Sequence, residues 1–263
     1  MSDPVLYDLA AGVGTITLNR PDSLNSLDTA TKTALRDALE SAAADRSVRC
    51  VVLTGTGRAF CVGQDLREHV DNLANKPLEQ IWSTVPEHYN RICSALATMP
   101  KPVVAGVNGV AAGAGASLAF ACDFRIVADT AGFNLAFTGI ALSCDTGSSW
   151  TLPRLVGQAK AAELLMLPRT VSAEEALALG IATKVVATGS LADEVRLLAT
   201  QLASGPTVAF AAIRRSLAYS ASHSLEESLT LEAEMMANTG ETEDHRDAVA
   251  AFVEKRKPTF HGR

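Results

Sequence analysis

The sequence predicts an α/β protein with a parallel sheet, closed by a block of helices. Three observations carry this. Short apolar segments alternate with amphipathic ones through the first half, two apolar segments run straight into glycine-rich loops, and after Thr151 almost every segment has helical spacing. Strands separated by long helical connections pair in parallel through crossovers.

Val5 to Asp8 and Gly14 to Leu18 read as a strand pair. Thr29 to Ala44 reads as a helix whose buried face carries Ala30, Ala34, Leu35, Ala38, Leu39 and Ala42. Strand Arg49 to Leu53, helix Leu78 to Thr98, strand Val103 to Val107, helix Ala114 to Ala121 and strand Phe124 to Ala128 continue the alternation. Helices then follow at Ala159 to Met166, Ala173 to Leu179, Ala192 to Ser204, Thr207 to Ser220, Leu225 to Asn238 and Glu243 to Lys255. Gly205-Pro206 and Thr239-Gly240 punctuate them. Apolar helices with no sheet of their own must pack on the core or on a neighbouring subunit.

Composition narrows the function classes. A 48% hydrophobic content over 263 residues is ample for a large core. No apolar run approaches the ~20 residues of a membrane span. The opening Met1-Ser2-Asp3-Pro4 lacks the basic and apolar regions of a signal peptide, so a cytoplasmic location without a membrane partner is expected. A net charge of −6 with dispersed signs argues against a nucleic-acid partner. The five cysteines have no short paired spacing and read as free thiols, and the five histidines form no ladder with carboxylates, so no metal is expected. Arg20, Arg58, Arg67 and Lys255-Arg256-Lys257 are the basic candidates for an anionic ligand; each also reads as an ordinary solvated charge.

The chemistry is concentrated in the two glycine loops. Strand Val103 to Val107 leads into Asn108-Gly109-Val110-Ala111-Ala112-Gly113-Ala114-Gly115, then an apolar helix whose first N–H groups are unpaired. Strand Arg49 to Leu53 leads into Thr54-Gly55-Thr56-Gly57 and onward to Leu66. Two N–H donors from separate segments, aimed at one oxygen, make an oxyanion hole in which each donor is worth about 2.7–4 kcal/mol. Either loop alone also reads as a plain glycine turn. A dinucleotide fingerprint fails, because its third glycine falls on Phe60 and no helix is expected to open directly on that loop. A P-loop fails for want of Gly-Lys-Ser/Thr.

Taken together, five ordered segments resemble the crotonase (enoyl-CoA hydratase/isomerase) superfamily nearly end to end. They are Asn19-Arg20-Pro21 with Asn25, Gly57-Arg58-Ala59-Phe60-Cys61-Val62-Gly63-Gln64-Asp65-Leu66, Val107 to Gly115, Asp145 to Gly157, and Phe252 to Phe260. The resemblance implies a ClpP/crotonase-like spiral of β-β-α turns over residues 1–204. It also implies a helical trimerisation or lid region over 205–263, in a homotrimer or dimer of trimers. It implies acyl-CoA thioester substrates, with coenzyme A part of the substrate and no separate cofactor. By the same resemblance the oxyanion amides fall at Gln64 and Ala114. Acyl-CoA contacts fall at Arg20, Cys61, Val62, Gly63, Asp65, Leu66, Gly113, Gly115, Phe137, Lys257 and Phe260.

The acid/base group departs from the hydratase pattern. Relatives that hydrate use two glutamates; the matching positions hold Ser117 and Phe137, which cannot take a proton from water. Asp145, on the turn Cys144-Asp145-Thr146-Gly147, resembles the loop aspartate of phenylacetate-pathway-type and dienoyl-CoA isomerases. It is therefore the candidate acid/base, with Phe137, Ile140 and Leu142 as neighbours able to raise its pKa. Asp145 also reads as a turn or helix-capping residue, Phe137 as a core aromatic or a pocket wall, and Ser117 as a small packing residue. Cys144 has no histidine nearby to make it a nucleophile, Asp65 reads as a loop-fixing residue and Trp150 as a packing one. The expectation is an enoyl-CoA isomerase. The alternatives are a hydratase, an enzyme using Asp145 as a nucleophile on an aromatic acyl-CoA, and a catalytically inactive acyl-CoA binder.

Overall fold

The computed structural model describes residues 3–263. Met1 and Ser2, the start of the stretch read above for a signal peptide, lie outside them. The chain begins with a hairpin of β1 (Val5–Ala10) and β2 (Val13–Leu18). Its two-residue turn places both Ala11 (φ 49°) and Gly12 (φ 79°) in the left-handed region, matching the twist of the strands. The helix α1 (Thr29–Ala44) has the bounds expected and is capped by Asp28, whose carboxylate accepts the Thr31 N–H at 2.8 Å. Leu35, Leu39 and Ala42 are buried as expected, but Ala30 is exposed and Thr31 and Lys32 hold the buried face instead.

The second turn holds β3 (Cys50–Gly55), β4 (Ala59–Cys61), α2 (Leu66–Asn75), α3 (Leu78–Trp82), a π-helical turn at Val85–Tyr89, and α4 (Asn90–Thr98). Two corrections arise here. The single helix expected from Leu78 to Thr98 is divided by a π turn that contains Pro86, which has no N–H to give the helical ladder. A helix does open directly on the glycine loop: α2, capped by Asp65 through the N–H groups of Arg67 (3.1 Å) and Glu68 (3.2 Å). Its apolar residues Leu66, Val70 and Leu73 recur at helical spacing, but each is at least half exposed and none of the helix is fully buried.

The third turn is β5 (Val103–Val107), β6 (Val110–Ala112) and α5 (Ala114–Phe120). The fourth is β7 (Phe124–Ala128), β8 (Gly132–Asn134), α6 (Ser148–Val156) and α7 (Gln158–Met166). Then come β9 (Thr170–Ser172), α8 (Ala173–Ala178), β10 (Lys184–Val186), α9 (Leu191–Ala203) and the helices α10 (Thr207–Ser220), α11 (Leu225–Gly240) and α12 (Glu243–Val253). The strands make a six-stranded sheet, β1-β2-β3-β5-β7-β10, and a four-stranded sheet, β4-β6-β8-β9. After the β1–β2 hairpin, which lies wholly in the larger sheet, the second to fourth turns each give one strand to each sheet, and apart from those of β1 with β2 and β8 with β9 all pairings are parallel. This is the expected spiral of β-β-α turns. The three-residue strands were illegible in sequence because so short a run shows no alternation.

Two arginines tie α10 and the chain end to the spiral. Arg214 donates to Asp123 and to the carbonyls of Leu96, Met99 and Lys101. Arg49 donates to Thr207 and to the carbonyls of Gly205 and Phe260. No helix is long and apolar enough to cross a membrane among the described residues.

The second and third turns touch backbone to backbone. A first side-chain carbon at Gly109 would fall on the Arg58 carbonyl, and one at Gly115 on the Cys61 carbonyl. Gly115 is therefore a packing residue of α5, and it is not among the residues that line the cavity described below. Gly115→Ala is expected to lower unfolding stability by about 1–3 kcal/mol or more, as overpacking does. Gly139→Ala, which meets nothing within 4 Å, is expected to stay within about 0.5 kcal/mol. Urea denaturation of the two variants checks this.

Candidate active site

The backbone contact between turns decides where the two glycine loops end. Gly63 has φ 83°, and a side-chain carbon there would lie 2.9 Å from the Ala112 carbonyl and 3.2 Å from the Ala114 nitrogen. Gln64 and the start of α5 thus share one wall of a cavity of about 510 Å³. Their neighbours are tied down. Leu27 N–H donates to Gly63 O at 2.7 Å, Asp65 N–H to Leu27 O at 3.1 Å, and Gly113 N–H to Asn134 O at 2.8 Å. Among the described residues, neither the Gln64 nor the Ala114 main-chain N–H donates to another part of the chain. Two unpaired amides at a cavity wall, one of them at a helix N-terminus, offer donors to an oxygen that carries or gains negative charge.

The remaining walls are apolar. Val62 and Leu66 flank Gln64, Trp82, Val85 and Tyr89 come from α3 and the π turn, and Phe137, Ile140 and Leu142 precede the Asp145 loop. Phe137 is both buried and a cavity wall, so its two sequence readings hold at once. Asp145 is the cavity's carboxylate. Thr146 (φ 52°) and Gly147 (φ 77°) hold the bend behind it, and a side-chain carbon on Gly147 would lie 2.6 Å from the Cys93 sulfur. Burial pushes the Asp145 pKa above the usual aspartate range, opposed by a 2.8 Å hydrogen bond from the Thr146 hydroxyl and by the charge of Lys32. The capping reading fails, since Gly147 caps α6 and no side chain bonds there.

Ser117 is fully buried, and its hydroxyl bonds the Gly113 carbonyl at 3.1 Å and the Ser148 hydroxyl. It fastens α5 to the start of α6, as its packing role requires, and is absent from the cavity lining. Cys144 lines the cavity, but no histidine does, so a cysteine–histidine pair is absent among the described residues. All five cysteines are free thiols, and burial pushes Cys61 up to about 12. Trp150 is 43% exposed, with the Arg154 guanidinium 4.0 Å over its ring, which corrects the packing role expected for it.

Of the expected contact residues, Val62, Leu66, Gly113 and Phe137 line the cavity with Gln64, Ala114 and Asp145. Arg20, Cys61, Gly63 and Asp65 stand behind that wall. Arg20 pairs with Asp65 at 3.0 Å and Asp28 at 3.1 Å. Burial would raise the Asp65 pKa, but hydrogen bonds from Ser26, Glu68 and Arg20 hold it below the ordinary range. Asp65 therefore fixes the loop, as read. Lys257 and Phe260 lie outside the lining, and the Phe260 carbonyl is taken by Arg49. Arg256 pairs with Asp247 and Glu254.

Sequence reading missed Lys32, Tyr89, Trp82 and Val85. The last three lie on the broken helix, which the sequence reading gave as a single run. Lys32 is 2% exposed, and a lysine on an amphipathic helix reads as solvated unless the stripe is phased correctly.

Comparison with known proteins agrees with this geometry. The enoyl-CoA hydratase/isomerase family model matches residues 8–263. The chain is 39% identical over 264 residues to 1,2-epoxyphenylacetyl-CoA isomerase of Escherichia coli K12, covering 100% of both chains. It is 40% identical over 259 residues to the "Probable enoyl-CoA hydratase" of Rhodobacter capsulatus, covering 98% of each. The crystal structure of enoyl-CoA hydratase from Bacillus anthracis superposes with TM-score 0.92 at 32% identity, over 99% of this chain and 100% of that one. A spiral with two free amides where its second and third turns meet, matched along nearly its whole length, belongs to the enoyl-CoA hydratase/isomerase family.

Proposed function

We propose that the protein moves the double bond of an enoyl-CoA thioester, converting a 3-enoyl to the conjugated 2-enoyl form. The carrying observation is one carboxylate, Asp145, in an otherwise apolar cavity whose wall holds two unpaired amides. The thioester carbonyl oxygen accepts from the Gln64 and Ala114 N–H groups. The Asp145 carboxylate takes a proton from the carbon next to the carbonyl. The electron pair left behind spreads into a dienolate whose oxygen the amides stabilise. Asp145 then returns the same proton to the carbon at the far end of the original double bond, which leaves the new one conjugated with the carbonyl. No atom is gained or lost, so a single acid/base group suffices.

Hydration is the second reading, because the relatives' names include hydratases as well as isomerases. The residues argue against it here: Ser117 is bound to Ser148, and Phe137 is an aromatic wall where a second water-holding carboxylate would be needed. The exposed apolar residues Leu217, Leu229 and Phe252 on α10–α12 support association between subunits, for which the resemblance implies a homotrimer or dimer of trimers.

Incubation with a 3-enoyl-CoA is expected to raise conjugated enoyl absorbance. A fall on incubation with 2-enoyl-CoA identifies a hydratase instead, a transient ester on Asp145 detected by mass spectrometry identifies nucleophilic catalysis, and tight acyl-CoA binding without turnover identifies an inactive binder. Asp145→Asn is expected to cut kcat by about 10²–10⁴-fold, the typical worth of a general acid/base. Unchanged turnover removes Asp145 from the mechanism.

The pH behaviour follows from burial of Asp145. The base form is the carboxylate, so activity rises with pH through a pKa above the ~3.9 of a free aspartate. Stability has the opposite sign. A carboxyl whose folded pKa is raised favours the folded state below its unfolded pKa, and that contribution is lost as pH rises through the folded value. Asp145→Asn, which removes the buried charge, is therefore expected to raise Tm at pH 7, with the gain shrinking toward zero below about pH 3.9. Thermal scans across pH check the sign.

A further inference from the structure

Lys32 is a buried cation whose hydrogen-bond acceptors are neutral. Its ammonium donates to Gln64 Oε1 at 3.0 Å and to Thr84 Oγ1 at 2.7 Å. The Tyr89 hydroxyl donates to the same Gln64 Oε1 at 2.7 Å, and Gln64 Nε2 donates to the Asp65 carbonyl at 3.2 Å. Both heteroatoms of the carboxamide are thus occupied, and the side chain is fixed on the residue whose backbone N–H is free at the cavity. Gln64 also forms part of a second, polar cavity of about 150 Å³ on its other side, lined by Lys32, Thr84 and His88. Burial of a lysine without a carboxylate partner is costly, and α1 would be more stable with an apolar residue there. Its presence calls for a role in the site.

We infer that Lys32 is a positioning residue: with Tyr89 it fixes the Gln64 carboxamide, and so the Gln64 backbone amide, at the cavity wall. The enzymatic consequence rests on the isomerase reading; the geometric one does not. The groups facing Lys32 and Asp145 come from several elements. Lys32 is faced by Asp28 at the cap of α1, Glu68 and Lys76 around α2, and His88 on the π turn. Asp145 is faced by Lys32, Tyr89 and Cys93. Burial lowers the Lys32 pKa, offset by Glu68, Asp28 and Asp145. While it is protonated, the nearby charge favours the Asp145 carboxylate, so losing it moves the Asp145 titration to higher pH.

Lys32→Met keeps the volume and removes the charge and both hydrogen bonds. The expected result is a kcat at least about tenfold lower with KM within about threefold, as for an interaction made in the transition state. The acid limb of the kcat profile moves to higher pH. Two readouts do not need turnover. The ¹³C-carboxyl titration of Asp145 moves up, and the Gln64 N–H order parameter falls from the rigid value of about 0.85. Tyr89→Phe removes one donor and no charge, so it is expected to lower kcat and the Gln64 order parameter without moving the Asp145 titration. It also keeps the test open if Lys32→Met does not fold. A folded Lys32→Met with an unmoved Gln64 order parameter overturns the inference. Wild-type protein inert toward 3-enoyl-CoA would instead sink the isomerase reading, and the Gln64 order parameter would still decide the role of Lys32.

Discussion

The structure depends on how closely its second and third turns approach between Arg58–Gly63 and Gly109–Gly115. Backbone meets backbone there, so hydrogen is the only side chain admitted at Gly109 and Gly115. The parallel pairing of β4 with β6 fixes the register at Ala59↔Val110 and Cys61↔Ala111. Two buried or half-buried asparagines complete the contact where the loop leaves the sheet. Asn25 donates to the carbonyls of Thr56 and Ala59, and Asn108 to those of Gly57 and Ala59. These side chains satisfy carbonyls at a bend that has left the ladder, where an unmet acceptor would be costly. The same contact places Gln64 beside the start of α5, so the packing constraint also builds the cavity wall.

Polar groups around the cavity divide into those that are satisfied and those left free. Asp65, Ser117 and the Gln64 side chain all have partners within the chain. Among the described residues the two main-chain amides do not, and the Thr146 hydroxyl donates to the Asp145 carboxylate. Free donors and an under-solvated carboxylate destabilise the empty protein. They persist because the surrounding turns leave them no alternative: Leu27, Asn134 and the left-handed pair Thr146-Gly147 hold the backbone on either side.

Much of this was legible in sequence, for identifiable reasons. Strands β5 and β7 and helices α1 and α10 have the bounds expected: β5 carries no polar side chain, β7 is apolar apart from Arg125, and the two helices are long. The second sheet was not legible: β4, β6, β8 and β9 have three residues each, and their pairing is set by the spiral and not by local pattern. Helix α2 was missed although Leu66, Val70 and Leu73 recur at helical spacing, and the π turn was missed because its disturbance lies inside an otherwise helical run. Motif matching placed Gln64, Ala114 and Asp145 at one cavity although 81 residues separate the first from the last. It did not find Lys32 or Tyr89, whose positions follow from three-dimensional packing of α1 against the π turn.

Whether such a site hydrates or isomerises turns on how many proton-handling groups reach the acyl carbons. Adding water requires holding the water, taking one proton from it and delivering another to carbon, a task that two carboxylates divide. Moving a double bond requires taking a proton from one carbon and giving it to another, which a single buried carboxylate does by reaching both. Burial serves that second task, since a carboxyl with a raised pKa is a stronger base and its proton is not lost to solvent between the two steps. A second carboxylate in the same apolar space would drive the two pKa values apart and add a further desolvated charge. Phe137 and the Ser117–Ser148 pair stand where such a group would be needed, and this favours the proposed isomerisation over hydration.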